Sequence, residues 1–237
     1  TVANMDFGYK PPKTGRTCQC EIMLGNEYIE KTFGNNVFVF ELGKRDIKFA
    51  SITLKMDYIT VSLVGRQDLT RKNLMGFLNH PVVRRLMPEG WVMPKSFCMC
   101  ISKIPVTHAK HPFTDRVVIL GDASISRAYK SGIESAFNMA KLSAYTAFKY
   151  GVSERAFMNG YFKPARKLLA RDNVYGIIML KINDYITSQR RIANAHIRFI
   201  KSGRDKKIAD QMNEILWNML SGKTSYKEIF YQVVNNP

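Results

Sequence analysis

The sequence predicts an α+β protein, with an antiparallel sheet region first and an all-helical region last. Three observations carry that expectation. Residues 17–64 hold short runs rich in Val, Ile, Phe, Tyr and Thr, and the turns between them are too short for crossover helices. Arg116–Leu120 is a nearly continuous apolar run, as in a strand buried on both faces. From Gly132 onward the apolar spacing changes to three and four residues, the helical period.

The β-rich runs are Cys18–Leu24, Tyr28–Phe33, Val37–Leu42, Lys48–Leu54 and Tyr58–Val64. Gly25-Asn26, Gly34 to Asn36, Gly43 to Asp46 and Met56-Asp57 punctuate them. Alternation in Asp57–Val64 sets Tyr58, Thr60 and Ser62 on one face and Ile59, Val61 and Leu63 on the other, a half-buried pattern. Asp68 or Thr70 caps a helix that runs to Asn79, with Leu74, Phe77 and Leu78 as its apolar stripe. Ser96–Ile101 is a further strand. In the helix from Gly132, residues Ile133, Ala136, Phe137, Ala140, Ala144 and Ala147 form a small-residue stripe suited to lying against a sheet. Ser153–Tyr161, Ala165–Ser188 (broken or bent near Gly176), Arg190–Ile200, Lys206–Leu220 and Ser225–Val234 are the remaining helices.

The chain has 237 residues, 46% of them hydrophobic, enough for a core without disulfide or metal staples. No apolar run reaches the length needed to span a bilayer, and no signal peptide is visible. The few cysteines argue against a secreted disulfide scaffold and for a reducing, cytoplasmic setting. Lys plus Arg number 36 against 19 Asp plus Glu, a net charge of +17, which calls for an anionic partner.

Several constellations are candidates for chemistry. Cys18, Cys20, Cys98 and Cys100 form two Cys-x-Cys pairs, read either as four thiolates for a metal or as small buried hydrophobes. The spacing departs from the usual zinc knuckle, so no metal ligand is assigned. His80, His108, His111 and His196 show no metal-ligand or triad spacing; His108 and His111 are open to acid–base work or to simple exposure. Arg190, Arg191, Arg198, Lys201, Arg204, Lys206 and Lys207, with Ile192, Ile197 and Phe199 between, read as a solvated helix face or as a peripheral contact with an anionic membrane. A nucleic-acid reading needs an aromatic platform or a recognisable binding fold, and neither is present.

The most informative segment is 115–147. An apolar strand ends at Gly121-Asp122-Ala123, a loop of eight residues runs from Ser124 to Ser131, and Gly132 opens the helix. A carboxylate at a strand end can accept hydrogen bonds from sugar or ribityl hydroxyls. The preceding glycine lets backbone approach a ligand closely. A helix start offers free N–H groups and positive dipole charge to an anion. By itself Gly-Asp-Ala also reads as a tight turn whose Asp caps the next segment. Arg127 and Lys130 in the loop read as an anion clamp or as solvated charges. Tyr129 reads as a ring to stack on a ligand or as a cover for the helix start.

This pattern resembles the second flavin-contacting segment of FAD-dependent oxidoreductases with the para-hydroxybenzoate hydroxylase or geranylgeranyl reductase fold. That segment reads Gly-Asp-Ala, a loop, then Gly-x-x-x-Ala opening a helix. Gly121, Asp122, Ala123, Gly132, Ile133 and Ala136 match it. Phe7 to Pro12, the strands from Cys18 to Gly65 and the stretch Leu78–Pro88 also look like a bacterial subgroup of NAD(P)/FAD-dependent oxidoreductases. The resemblance implies that Asp122 binds the ribityl chain, and that Gly132 and Ile133 lie by the pyrimidine edge of the ring. It adds Gly121, Ala123, Arg127 and Tyr129 to the cofactor site. It further implies a β-rich substrate-binding region over 1–110, a flavin-contacting strand–loop–helix over 111–150, and a helical carboxyl-terminal region over 151–237. The substrate would be a small molecule, hydrophobic or aromatic, or a lipid, with NAD(P)H as a possible electron donor. The G-x-G-x-x-G turn that grips the FAD pyrophosphate in that family occurs nowhere in the sequence. The chain is therefore expected to be the carboxyl-terminal part of a longer protein, its nucleotide-binding part supplied in cis or trans. The competing expectation is a non-catalytic basic module, derived from such an enzyme, that docks on a membrane or a partner.

Overall fold

Five strands and three short helices make the first half of the chain, in the order strand, helix, three strands, two helices, strand. The structure is a computed structural model that describes residues 6–41, 46–94, 97–189, 191, 192, 194, 198 and 206–235, with residues 206–209 described by their backbone alone. The chain divides into two compact units, one built around Gly15–Lys103 and the other around Ile104–Tyr185 with chain from both ends.

The first unit is a five-stranded sheet of β1 (Thr14–Met23), β2 (Phe38–Phe40), β3 (Ile47–Lys55), β4 (Tyr58–Gly65) and β5 (Met99–Pro105), in the order β2-β3-β4-β1-β5. β4 lies antiparallel between β3 and β1, pairing Val61 with Ile52 on one side and with Cys20 on the other. That register aligns Cys18, Cys20, Ile22, Ile52, Ile59, Val61 and Leu63 in one core. Helices α1 (Asn26–Phe33) and α2 (Arg71–Leu78) and the short α3 (Pro81–Arg84) bury Ile29, Phe33, Leu74, Phe77, Leu78 and Val83 in it. α2 starts where Thr70 caps it, its backbone N–H donating to Asn73 Oδ1 at 2.8 Å.

One expected strand is a helix. Tyr28–Phe33 has β-rich composition, yet Asn26–Phe33 is α1, bounded by Gly25 at φ 84° and Gly34 at φ 60°. The deciding signal is Lys31: a strand would turn it to the same face as Ile29 and Phe33, whereas a helix buries those two, one turn apart, and leaves Lys31 exposed. The other strands stand near their expected positions; Ser96 lies outside the described residues.

In the second unit the expected buried strand over Arg116–Leu120 shrinks to a two-residue pairing. β6 (Phe113–Thr114) meets β7 (Val117–Val118) in a tight hairpin with Arg116 at φ 61°, and β7 is only half buried. A 3₁₀ turn, Gly121–Ala123, follows, then α4 (Gly132–Tyr150). The inward face of α4 also differs from expectation. Ser135, Met139, Ser143 and Thr146 are buried, whereas Ile133 and Phe137 are 91% and 62% exposed.

Helical backbone then abuts without a gap from 154 to 188: α5 (Glu154–Phe157), a π-helical stretch Met158–Phe162, α6 (Lys163–Ala165), a second π stretch Arg166–Ala170, and α7 (Arg171–Ser188). Ser153 caps the start through Oγ, which accepts from Ala156 N–H at 3.2 Å. Pro164 lacks the N–H that α-helical bonding needs, and the wider π-turn just before it accommodates that loss. Two separate helices were expected here, the second broken or bent near Gly176. The helix passes Gly176 unbroken, and that glycine makes room for the Tyr226 ring, which a Cβ would strike at 2.5 Å. The second core gathers Phe113, Ile125, Met139, Phe157, Tyr161, Phe162, Ala165 and Leu169. α8 (Lys206–Ser221) and α9 (Tyr226–Asn235) close the chain.

The cysteines separate in the first unit. Cys18 and Cys20 are 0% and 3% exposed, and Cys98 and Cys100 are exposed. No group of three or more His, Cys, Asp or Glu among the described residues is arranged to hold a metal. Burial, with Cys18 and Glu21 nearby, pushes the Cys20 thiol up to about 12. Iodoacetamide at neutral pH is therefore expected to label Cys98 and Cys100 in the native protein, and Cys18 and Cys20 only after denaturation. Intact-mass counting of adducts checks this; labelling of Cys20 at the rate of Cys98 would contradict the sheet register.

Candidate functional site

The Gly121–Ala123 turn and the first turn of α4 lie against each other, and glycines permit the approach. Gly121 has φ 63°, and a Cβ there would sit 3.4 Å from that of Ala136. A Cβ on Gly132 would sit 3.3 Å from Asp122 Oδ1 and 3.4 Å from Oδ2. The Asp122 carboxylate is thus held over the helix start. It is exposed and takes no hydrogen bond or ion pair from the described residues. Ser131, at φ 56°, precedes the helix without a side-chain cap, and Ser135 N–H is the first to bond back, to Ser131 O at 2.9 Å. The N–H groups of Gly132, Ile133 and Glu134 consequently point out of the helix with no partner among the described residues. Tyr9 steadies the turn, its hydroxyl donating to Ala123 O at 2.7 Å.

The loop from Ser124 to Ser131 is held in an uncommon shape. Tyr129 and Ser131 both have positive φ, a conformation that costs non-glycine residues roughly 1 kcal/mol or more. Buried hydrogen bonds hold it there. Asn173 Oδ1 accepts from Ala128 N–H at 2.8 Å while its Nδ2 donates to Ser126 O at 2.9 Å. The Tyr226 hydroxyl donates to Ala128 O at 2.5 Å. Ser135 Oγ accepts from Arg127 N–H, and Ser124 O accepts from Ala109 N–H. The Tyr161 hydroxyl donates to Ile119 O at 2.9 Å, which leaves Ser124 Oγ to donate to Tyr161 at 2.9 Å.

The residues expected at the site therefore divide. Gly121, Asp122, Ala123, Gly132 and Ile133 come together around the free carboxylate and the open helix start. Arg127 turns away from them. Its Nη1 donates to Gly222 O at 2.6 Å, and its Nε faces Asp172 Oδ2 at 3.5 Å. Lys130 reaches Asn218 O at 3.1 Å with its ammonium 4.2 Å from the centre of the Tyr226 ring. Both loop cations bind the loop to the carboxyl-terminal helices, a role the sequence reading did not consider. Tyr129 is half buried, and burial with Asp184 nearby raises its hydroxyl pKa. Burial and the neighbouring Arg166 lower the pKa of His108, so it is neutral at pH 7.

Asp172, Asn173 and Tyr226 were missed entirely. Their signal in the sequence is faint: an Asp-Asn pair where an exposed helix would carry longer polar residues, and a Tyr facing a glycine 50 positions away. Beside Arg127 and Ser135, a cleft of about 540 Å³ runs between α4, the second π stretch and the start of α9, with Lys167, Arg171, Asp172 and Lys227 in its wall. Of the basic stretch, Arg191 and Arg198 are helical and exposed; Arg190, Lys201 and Arg204 lie outside the described residues. No described helix is long and apolar enough to cross a membrane.

With this geometry in hand, the comparisons with known proteins can be placed. No protein-family model and no curated protein matches the sequence. A solved structure of a geranylgeranyl bacteriochlorophyll reductase-like protein from Thermoplasma acidophilum is similar over 75% of this chain and 48% of its own, at 13% identity and a TM-score of 0.52. CmlS, a flavin-dependent halogenase, aligns over 96% of this chain and 45% of its own, at 12% identity and a TM-score of 0.49. The chain spans about half the length of these structures. The first likeness is one of fold: an α+β chain sharing part of the architecture of a reductase-like protein.

Asn173→Ala should strand a buried N–H and a buried carbonyl and destabilise the protein by about 2 kcal/mol or more. Chemical denaturation measures the loss, and faster hydrogen exchange at Ala128 locates it. Lys130 supplies a pH test. Burial, with Arg127 next in effect, lowers its pKa from 10.5 to about 8. Between those values the unfolded chain holds a proton that the folded chain has released, so this group makes stability rise as pH climbs from about 8 to 10.5. Lys130→Met should remove that rise, as the difference between wild-type and variant denaturation curves across this range.

Proposed function

We propose that this chain forms the flavin-ring side of an FAD-dependent oxidoreductase. One observation carries the reading: an exposed, unpartnered carboxylate on Asp122, fixed against an uncapped helix start by two glycines. The residues fit the group. Asp122 would accept hydrogen bonds from ribityl hydroxyls, with Gly121 and Ala123 setting the turn. The N–H groups of Gly132 and Ile133 would meet the pyrimidine edge of the ring, where the helix dipole favours the negative charge of the reduced form. When bound, FAD supplies hydride or electron transfer to or from the substrate. Arg127 contributes by fixing the loop, since its guanidinium already serves Gly222 and Asp172.

The β-rich region would line a cavity for a hydrophobic or aromatic small molecule or a lipid, with NAD(P)H as the donor. A nucleotide-binding part, on this polypeptide or another, would hold the ADP half, because nothing in this sequence has the pattern to do so. The likeness in fold to a geranylgeranyl bacteriochlorophyll reductase-like protein supports the reading at the level of architecture.

The test uses the protein with its nucleotide-binding part in place. Supplied with FAD, it should show a flavin absorption band, and Asp122→Ala should weaken FAD binding tenfold or more, about 1.4 kcal/mol. Gly132→Val should weaken it further, since its side chain would displace the carboxylate. Absence of a flavin band at saturating FAD, or unchanged affinity in Asp122→Ala, would falsify the proposal.

A further inference from the structure

The cleft beside Arg127 and Ser135 lies wholly within the second unit, and neither Asp122 nor Gly132 is part of its wall. Its volume of about 540 Å³ suits a small organic molecule. Two kinds of surface meet in it. Met139 and Leu169 are buried apolar groups, and the half-buried Tyr175 adds an aromatic ring. Beside them stand Lys167, Arg171 and Lys227, all exposed. Lys167 and Arg171 are about one turn apart on continuous helical backbone, and neither has a hydrogen bond or ion pair among the described residues. Like charges so placed repel each other unless an anion lies between them. Glu134, on α4, offsets only part of this charge. The wall is also incompletely bonded. Arg127 Nε and Asp172 Oδ2 face each other at 3.5 Å, both buried, and neither has a hydrogen bond. The Asp172 side chain is only 9% exposed. Buried charged atoms left in this state are costly, and a ligand hydroxyl beside the pair would accept from Nε–H and donate to Oδ2.

We infer that this cleft is a second binding site, for an organic anion with an apolar or aromatic body. Lys167, Arg171 and Lys227 hold its carboxylate or phosphate group, and the body rests on Met139, Leu169 and Tyr175. Inorganic phosphate alone would leave the apolar surface bare. A neutral hydrocarbon would leave the cations unpaired. Asp122 and the flavin reading have no part in this site, but the loop does. Ser135 Oγ accepts from Arg127 N–H at 3.1 Å, and Asp172 Oδ1 accepts from Lys227 N–H at 2.9 Å. An occupant that touches Ser135, Arg127 and Asp172 therefore braces the bonds that hold the loop from behind.

Isothermal titration calorimetry tests this on the protein with any nucleotide-binding part in place. The probes are 2-naphthyl phosphate, 2-naphthoate, 2-naphthol and inorganic phosphate. The better of the two naphthyl anions should bind at least tenfold more tightly than 2-naphthol or inorganic phosphate, and its head group tells phosphate from carboxylate. Lys167→Gln with Arg171→Gln should weaken it tenfold or more. Asn138→Trp, which fills the cleft from α4 without changing charge, should do the same. Lys181→Gln removes an exposed lysine outside the cleft and should change nothing, which separates the site from general attraction to a chain of net charge +17. Hydrogen exchange at the Arg127 and Lys227 N–H groups should slow in the complex. Circular dichroism checks that the variants are folded, as Asn138, Lys167 and Arg171 are all on the surface. No saturable binding of either naphthyl anion, an affinity matched by inorganic phosphate or 2-naphthol, an affinity unmoved by Asn138→Trp, or an equal loss in Lys181→Gln would each overturn the inference.

Discussion

The Asn173 side chain holds the candidate site in shape. One amide spans the backbone of the loop, accepting at Ala128 and donating at Ser126, from the first turn of α7. That grip is what makes positive φ tolerable at Tyr129 and Ser131. The tolerated twist at Ser131 in turn aims the first N–H groups of α4 outward instead of capping them. The open helix start therefore follows from a loop that is over-determined from behind by Asn173, Tyr226, Ser135 and Tyr161, and Gly132 lets the Asp122 carboxylate lie against it.

The loop cations complete the same arrangement. Arg127 and Lys130 extend to Gly222 and Asn218, 95 and 88 residues along the chain, and Asp172 links Arg127 to the start of α9 through the Lys227 N–H. Gly222 has φ 73°, and a Cβ there would fall on Ser131 Oγ, so the close approach of this turn to the loop needs a glycine. In a chain of net charge +17, these are cations used for internal bonding and not for attracting a partner.

What could be read from the sequence was local. Alternation over Tyr58–Leu63 placed β4, Thr70 placed α2, and Gly132 placed the start of α4, because each signal lies within a few residues of the element it governs. The association of Gly121, Asp122 and Gly132 was legible for the same reason: a short loop joins them. α1 was misread because six residues of β-rich composition outweighed the charge of Lys31, which a strand would turn inward with Ile29 and Phe33. The run at Arg116–Leu120 was too short to show that a hairpin and a 3₁₀ turn divide it. For α4 the periodicity was right and the face was wrong, since a sequence reports which residues are apolar and not which side of a helix the rest of the molecule covers. Asn173 was hardly legible, since the loop it serves lies 45 residues away and its only local trace is the faint Asp-Asn pair.

The two π-turns between Glu154 and Arg171 decide how this helix answers to changes in length. Each accommodates one residue more than an α-helical turn holds, so loss of that residue at the turn itself would let the backbone close to ordinary α-helix with α7 still in phase. A residue lost from the α-helical backbone on either side has no such outlet and would turn everything downstream by about 100°. Asp172 and Asn173 would then swing away from the loop together, although no residue of the site itself had changed. Where a deletion falls in this stretch therefore matters more than which residue it removes, which makes the spacing of this helix as much a part of the site as the side chains that form it.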